Sequence, residues 1–526
     1  MQIDLIIENA DVVTMDPRRP RATRLGVTAG RVVGFDDELD GIGARETVDL
    51  EGGTVLPGFI DAHTHLQFTG QGLSAVDISA ATTIDEALDL IARGARTRDR
   101  DAWVEVVGYD QRVFGRHLTA PELDRAGEGR RVWARHISSH AAAVSTSVLD
   151  GIADRTRLDD PGIASGVLIE SQQALVREQR LPYGVDEIAG YIEAAALEAR
   201  SEGITACTEA GIGGFLALSG IDVHSYLALE RSGRLPVRLE LMPSFDTLHE
   251  VATNEADDFS RGLDLGLRTG FGAGSMLQIG AQKIMLDGGM MVRAARMTEP
   301  YEGTHNCGSW QTDPEDMRRA IIDGHAAGWQ LAIHAIGDDA MDLAMDCIEQ
   351  AQRAAPHRRP RHRIEHGGAI RPDQIARVAA LGLTIVTQPS FIHDSAHDFA
   401  DILGPDRADW LYRGRTLIDA GVRLVGSTDR PLPGTPLRAI QAFADRRNKT
   451  GRILAAHEAI SVQEALEMFT VHGAWISGHE DRLGRLAPGY LADLCFLERN
   501  PLEVPIEEIS SIGVRGTALE GSIAWT

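Results

Sequence analysis

The sequence predicts an α/β fold, with parallel strands through the middle of the chain and a small β-domain made by its two ends. Three observations carry that expectation. Between about residues 191 and 483, short apolar runs alternate with amphipathic segments, a pattern of parallel strands joined by helical crossovers. Residues 1–55 and 484–526 instead read as short strands divided by turn residues. The stretch from 67 to 190 is too long for one βα loop.

Taken in order, the N-terminal strands are Asp4–Ile7, Asp11–Met15, Arg24–Thr28, Arg31–Phe35 and Glu46–Leu50. Ala492–Leu497 and Gly513–Ala524 form the strands of the other end. Neither end can bury a sheet comfortably alone. The two are therefore expected to pair into one β-sandwich domain, 1–55 plus 484–526. Residues 67–190 are expected to form an inserted α/β subdomain, with Trp103–Tyr109, Arg131–His136 and Gly166–Glu170 as strands. In the central domain, 56–66 plus 191–483, helix Tyr191–Glu202 precedes strand Gly203–Thr208. Met317–Ala327 likewise precedes Trp329–His334, and Pro372–Leu381 precedes Thr384–Gln388. Eight such units would close into a barrel with its site at the strand C-terminal ends. An open doubly wound sheet has the same periodicity.

With 526 residues, the chain can bury a large core and more than one domain. Its 52 Lys and Arg against 77 Asp and Glu leave a net charge of -25. That balance repels phosphate backbones and favours solubility. Cys207, Cys307, Cys347 and Cys495 form no Cys-x-x-Cys pair, so neither a disulfide framework nor a thiolate zinc knot is expected. A reducing cytoplasm fits them. Met1–Glu8 carries acids where a signal peptide carries basic residues, and no apolar run is long enough to span a bilayer. The expected partner is a small-molecule substrate, not nucleic acid or membrane, and a homodimer is expected by base rate.

The chemistry begins at Thr54-Val-Leu-Pro-Gly-Phe-Ile-Asp-Ala-His-Thr-His65. Strand side chains alternate, so His63 and His65 point to one face. Imidazole is the commonest metal ligand, and two at one strand end make half a metal site. Further polar residues follow apolar runs downstream. They are Lys283 in Gln278–Gly289, His334 in Trp329–Asp338, His366 in Arg361–Gly368 and Asp429 in Val422–Pro431. Singly, a strand-end His is often a satisfied core residue and Asp-x-Pro a turn; together, their order and placement point to a metal site. No Gly-x-Ser-x-Gly elbow precedes a helix, and no glycine-rich phosphate loop stands out.

These motifs resemble the amidohydrolase superfamily, and within it the amidohydrolase-3 group that contains N-substituted formamide deformylases. The resemblance runs from Pro57–His65 through Lys283, Asp287-Gly288, His334–Asp338 and Ile364–His366 to Ser427–Asp429 and Gly484–Leu494. It implies a (β/α)₈ TIM-like barrel holding two divalent metal ions, most often Zn2+, with Mn2+, Co2+ or Fe2+ also suited to such ligands. His63 and His65 would bind one ion, and His334 and His366 the other. Lys283, carboxylated by CO2, would bridge them, because a free ammonium cannot ligate and a carbamate can. A salt bridge from Lys283 to Asp287 is the alternative. Glu209 is a substitute bridge and Cys207 a further ligand candidate. Asp429, as metal ligand and catalytic residue, would take a proton from water and return it to the leaving nitrogen. The implied reaction is hydrolysis of a C–N bond in an amide, N-formyl or carbamate-like compound, outside peptides. A non-hydrolytic metal-binding barrel and a mononuclear deaminase-type enzyme remain open.

Substrate-binding candidates are His140, Trp103 and Tyr109 in the insertion, with Phe114, Trp133 and His136 beside them. Trp310, Phe391 and His393 lie past barrel segments, and Arg430 adjoins Asp429. The sequence departs from the group twice, with Ser145 where Asn is usual and with Ser427-Thr-Asp429 where Ser-Asp is commoner. The second departure leaves the direction of Asp429 open, since alternate side chains oppose each other.

Overall fold

A computed structural model of the chain describes residues 2–137, 141–214, 217–248, 268–356, 358 and 360–526. The chain divides into two compact units. One comprises Met1–His65, Ala196–Ala217 and Tyr226–Thr526, and the other Leu66–Ala195 and Leu218–Ser225.

In the first unit, the chain ends build two sheets. Gln2–Glu8 pairs antiparallel with Leu25–Thr28 and parallel with Gly43–Asp49, and Leu25–Thr28 pairs with Arg31–Phe35. The second sheet runs Ser522–Trp525, Val514–Leu519, Leu494–Leu497, Thr54–Pro57, Asp11–Val13, Arg21–Ala22. Its central pairing joins the two ends, Leu56 facing Cys495. Leu5, Ile7 and Val27 of the first sheet share one buried apolar cluster with Val12, Val55, Leu494 and Phe496 of the second. Two expected strands differ for a backbone reason. Asp11–Met15 stops at Val13 before Met15 turns left-handed (φ 58°), and Gly513–Ala524 breaks at Glu520 (φ 48°) and Gly521 (φ 78°). Two positive-φ residues make the hairpin turn that matches strand twist.

The middle of this unit holds two parallel sheets. One orders Leu277–Ile279, Arg238–Pro243, Ile204–Ile212 and Phe59–Thr64. The other orders Gln282–Met285, Leu331–Ala335, Arg363–His366, Thr384–Thr387 and Leu424–Gly426. The sheets meet at two seams. At one, Asp429 N donates to His63 O (3.0 Å) and His65 N to Arg430 O (2.9 Å). At the other, Ser244 bridges Lys283. The parallel strands expected of the central domain are therefore present as two abutting sheets rather than one continuous ladder. Helices Pro314–Ala326, Asp338–Ala354 and Pro372–Ala380 alternate with these strands. The first starts sharply because Asp313 accepts from Glu315 N (2.8 Å) and Pro314 needs no N–H partner.

A buried pair of imidazoles, His325 and His362, lies outside the strand-end cluster. Leu331 N donates to His362 Nδ1 (3.0 Å), which places the proton on Nε2, facing His325 Nδ1 (2.8 Å). His325 Nε2 in turn faces Ala355 O (3.2 Å). Burial, and then His325, push His362 down to about 3. The unfolded chain protonates this residue near its ordinary value of about 6.5, so between those values it binds the extra proton. Stability is fully present above that window and is lost as pH falls through it. Urea unfolding should show His362→Asn flattening the pH dependence by about 1.4 kcal/mol per pH unit below pH ~6. An unchanged slope would contradict the neutral pair.

The second unit carries a five-stranded mixed sheet, ordered Val167–Ile169, Ala141–Val144, Val132–His136, Val104–Tyr109, Val76–Asp77. Its three expected strands are present; Ala141–Val144 and Val76–Asp77 were not foreseen, being short and Ala-rich or only two residues long. Val104, Val106 and Tyr109 pack with Ile91 and Leu123 of covering helices Ile84–Arg96 and Ala120–Gly127. Among the described residues, no helix is long and apolar enough to cross a membrane.

Candidate metal centre

His63 ends the strand Phe59–Thr64 and is wholly buried. Its Nδ1 pairs with the Glu365 carboxylate. Glu365 is held in turn by Arg363, through Nε (2.5 Å) and Nη2 (2.9 Å), and Arg363 Nη2 also donates to Ala62 O (2.6 Å). A carboxylate on Nδ1 fixes the tautomer and leaves the Nε2 lone pair for another partner. That Nε2 is buried and has no hydrogen bond. Burial, then Lys283, holds His63 well below the usual imidazole range, hence neutral.

Asp429 reaches the same point through the turn after Leu424–Gly426. Ser427 Oγ donates to Thr387 O (3.0 Å) and accepts from Gln388 Nε2 (2.9 Å). Thr428 donates through N (3.0 Å) and Oγ1 (2.6 Å) to Asp61. The added Thr thus turns away to a buried carboxylate, and Asp429 swings left-handed (φ 57°) toward the histidines. It lies 3.3 Å from His65 Nε2, 3.6 Å from His63 Nε2 and 3.9 Å from His366 Nδ1. Burial opposes its ionisation. The His65 hydrogen bond and the neighbouring His63 and His366 outweigh burial and hold the carboxyl well below its usual range. His366 is left-handed too (φ 72°). Such backbone is uncommon for non-glycine residues and clusters at functional sites.

His366 Nδ1 meets Gln388 Oε1 (2.8 Å). Its ring centroid is 4.4 Å from that of His334 and 5.0 Å from that of His63, which is 5.4 Å from that of His65. One ligand atom each of His63, His366 and Asp429 lie within 4.8 Å of one another. His334 Nε2 is buried without a hydrogen bond. Burial, then His366, keeps its ring well below the usual imidazole range.

Lys283, on Gln282–Met285, is 1 % exposed. Among the described residues no carboxylate comes within 4.0 Å of its amine. Burial pulls it down to about 8. The alternative salt bridge to Asp287 is absent. Asp287 accepts instead from Ile336 N (3.0 Å), Gly337 N (2.8 Å) and Arg296 N (2.8 Å), and burial pushes it up to about 7. Glu209 is buried on Ile204–Ile212 outside the cavity. Cys207 is a buried free thiol whose pKa burial drives well up.

A cavity of about 480 Å³ gathers His63, His65, Lys283, His334, His366 and Asp429. Its walls are apolar, with Met285, Met290, Ile336, Phe391, Phe399 and Tyr412. Of the substrate candidates, Phe391 lines it. Arg430 does not; it is 4 % exposed and its guanidinium pairs with Glu198 (3.2 Å) and Glu202, because the turn that aims Asp429 inward sends its neighbour the other way. Trp310 lies outside the lining, its ring under the Arg296 guanidinium (5.4 Å). In the other unit, Tyr109 is a core residue whose hydroxyl meets His117 Nδ1 (2.8 Å), and Trp103 is covered by Arg131 (5.5 Å) and Arg180 (6.0 Å). His140 lies outside the described residues. Ser145 closes a local turn, its Oγ accepting from Val132 N (2.9 Å). Glu365, Gln388 and Asp61 escaped the sequence reading as site residues, although Glu365-His366 and Asp61-Ala-His63 sit inside the quoted motifs.

The comparisons agree with this geometry. The amidohydrolase family model matches residues 46–524. An N-substituted formamide deformylase from Arthrobacter pascens is 26% identical over 545 aligned residues, covering 99% of this chain and 98% of that one. Protein LONG AFTER FAR-RED 3 of Arabidopsis thaliana is 28% identical over 532, covering 97% and 89%. Among solved structures, an uncharacterized metal-dependent hydrolase from Pyrococcus furiosus has a TM-score of 0.79 at 27% identity, covering 95% of this chain and 100% of that one. With that match running nearly end to end, the chain belongs to the amidohydrolase family.

Proposed function

We propose that this protein is a metal-dependent hydrolase that cleaves a C–N bond in an amide, N-formyl or carbamate-like small molecule. The observation that carries the reading is convergence. Six polar residues from distant strand ends line one apolar cavity. The two parallel sheets are read as halves of one (β/α)₈ barrel, and the terminal sheets as a β-sandwich. The residues fit metal, since His63 Nε2 and His334 Nε2 are buried without a hydrogen bond, the first 3.6 Å from the ionised Asp429 and the second 3.5 Å from Asp287. His63, His65 and Asp429 would hold one divalent ion, and His334 and His366 a second, with Lys283 between them. Zn2+ suits imidazole and carboxylate ligands. Bound there, such ions lower the pKa of water and polarise the scissile carbonyl.

The chain's own residues do the rest. Glu365 and Gln388 fix the rings of His63 and His366. Lys283, pulled toward its neutral form, can add its amine lone pair to CO2 and lose a proton, giving an anionic carbamate with two ligand oxygens. Asp429 accepts the proton of the attacking water and delivers it to the leaving nitrogen, which an amide needs to depart. The apolar walls hold the nitrogen substituent and exclude bulk water. The deformylase relative, named for N-substituted formamides, supports that substrate class. Four unpaired cysteines support a cytoplasmic location.

The close His63–His366–Asp429 cluster favours a second reading, a one-ion centre of the deaminase type. Metal analysis with a screen of formamides, amides and carbamates separates the two. Two ions per chain, with turnover lost on chelation and regained on reloading, is expected. One ion with unmodified Lys283 would favour the second reading. Two ions with no turnover on any of these substrates would leave a binding protein.

A further inference from the structure

The chain carries 52 Lys and Arg, yet only Lys283 and Lys449 are lysine. Both line the same cavity. Arg is the cation used everywhere else, so a lysine is kept only here, where a compact ammonium on a slim stem differs from a planar guanidinium. Lys283 has its use in the proposed reaction. Lys449 has none so far.

Lys449 is exposed, whereas Asp429 and Lys283 are buried, so it stands toward the open end of the cavity. Its backbone is anchored. Lys449 N donates to His393 O (3.0 Å), and Asn448 Oδ1 beside it accepts from Thr450 N (3.0 Å) and Arg452 N (2.8 Å). Its side chain is not anchored. In a chain with 77 acidic residues, none within the described residues brings a carboxylate within 4.0 Å of this ammonium. One acid lining the cavity, Asp394, meets His393 Nδ1 through one oxygen (2.9 Å), and Arg438 approaches that same ring (3.3 Å); the other Asp394 oxygen is buried without a hydrogen bond. The negative charge on this wall thus meets a ring through one oxygen, and among the described residues no carboxylate meets the positive one. The rest of the lining is mostly apolar, with Met285, Met290, Met291, Phe391 and Phe399, and Ser395 and Tyr412 add hydroxyls but no positive charge.

We propose that Lys449 reads an anionic group on the substrate, so that the enzyme acts on amides with an apolar body and a carboxylate placed away from the scissile bond. This rests on the hydrolase reading above and narrows it. A charge-assisted hydrogen bond at such a place is worth about tenfold in binding.

The test compares metal-loaded wild type and Lys449→Met on three probes: 4-(formamidomethyl)benzoate, its uncharged N-benzylformamide parent, and the cationic para-aminomethyl counterpart. Wild type should favour the carboxylate probe in kcat/KM. Lys449→Met should lower the carboxylate-to-parent ratio about tenfold, mostly through KM, and Lys449→Arg, which keeps the charge but changes its shape, should restore only part of it. A second readout needs no turnover. With its single other lysine buried, the chain reports Lys449 directly in amine acylation followed by peptide mass spectrometry. The inert 4-ethylbenzoate should protect Lys449, and 4-ethylbenzamide should not. Equal use of charged and neutral probes with no shift in the variant, preference for the cationic probe, or absence of protection would overturn the inference. Failure to hydrolyse any probe would count against the hydrolase reading alone, with the protection result still deciding the role of Lys449.

Discussion

Asp429→Asn is expected to lower turnover by about 10³-fold when compared at matched metal loading, since Asp429 is also a proposed ligand, and to leave thermal stability unchanged. The substitution keeps the volume and removes the basic oxygen. In the wild type the carboxylate is ionised at neutral pH and sits 3.3 Å from His65 Nε2. It is thus available to take a proton wherever water attacks beside the histidines. Asparagine tolerates left-handed backbone better than most residues, so the turn at φ 57° survives and the loss reads as chemistry rather than folding. Steady-state kinetics on metal-matched samples, beside thermal unfolding, make the measurement. Near-wild-type turnover would remove Asp429 from the proton transfer.

Lys283→Ala should be nearly as damaging, for a different reason. The side chain is 1 % exposed and has no acidic partner within 4.0 Å, so an ordinary ammonium there would be a buried uncompensated charge. The proposed carbamate would resolve that cost, supplying the anion that two bound cations would require. Removing it should weaken metal retention at least about tenfold and abolish most turnover. The vacated space can admit a short carboxylic acid, so added propionate should restore part of both. Lys283→Arg keeps a cation that cannot form a carbamate, and should stay inactive with or without propionate. In the wild type, labelled bicarbonate should give a carbamate carbon resonance that neither variant shows. Full metal content and full activity in Lys283→Ala would end the bridging role.

The residues legible in the sequence were those whose position follows from strand ends. His63, His65, His334, His366 and Asp429 each follow an apolar run and Lys283 lies within one, and period-two alternation tells which way strand residues face. What stayed hidden depends on register between strands hundreds of residues apart. Glu365 serves His63 across 302 positions, and Thr428 reaches Asp61 across 367. Nothing local in either segment announces the partner. Charge beside the site misled in the case of Arg430, because a one-residue turn decides whether a side chain meets the cavity or Glu198 and Glu202. Aromatic content misled at Tyr109, where a core position and a pocket position have the same composition. Most of the cavity wall, Met290, Phe399 and Tyr412 among it, comes from loops and a helix whose paths no periodicity encodes.

The pairing of Leu56 with Cys495 has a consequence for how the protein is made. Roughly 440 residues separate the partners, and at about 5–20 residues per second a ribosome needs on the order of 20–90 s to supply the second after the first. Throughout that interval the Thr54–Pro57 strand has one neighbour missing, and the histidine pair just beyond it waits for its aspartate. Assembly of both the terminal sheet and the histidine–aspartate cluster is therefore late relative to synthesis of Thr54–Pro57. Nascent fragments ending before Leu494–Leu497 leave that edge open and should aggregate rather than fold.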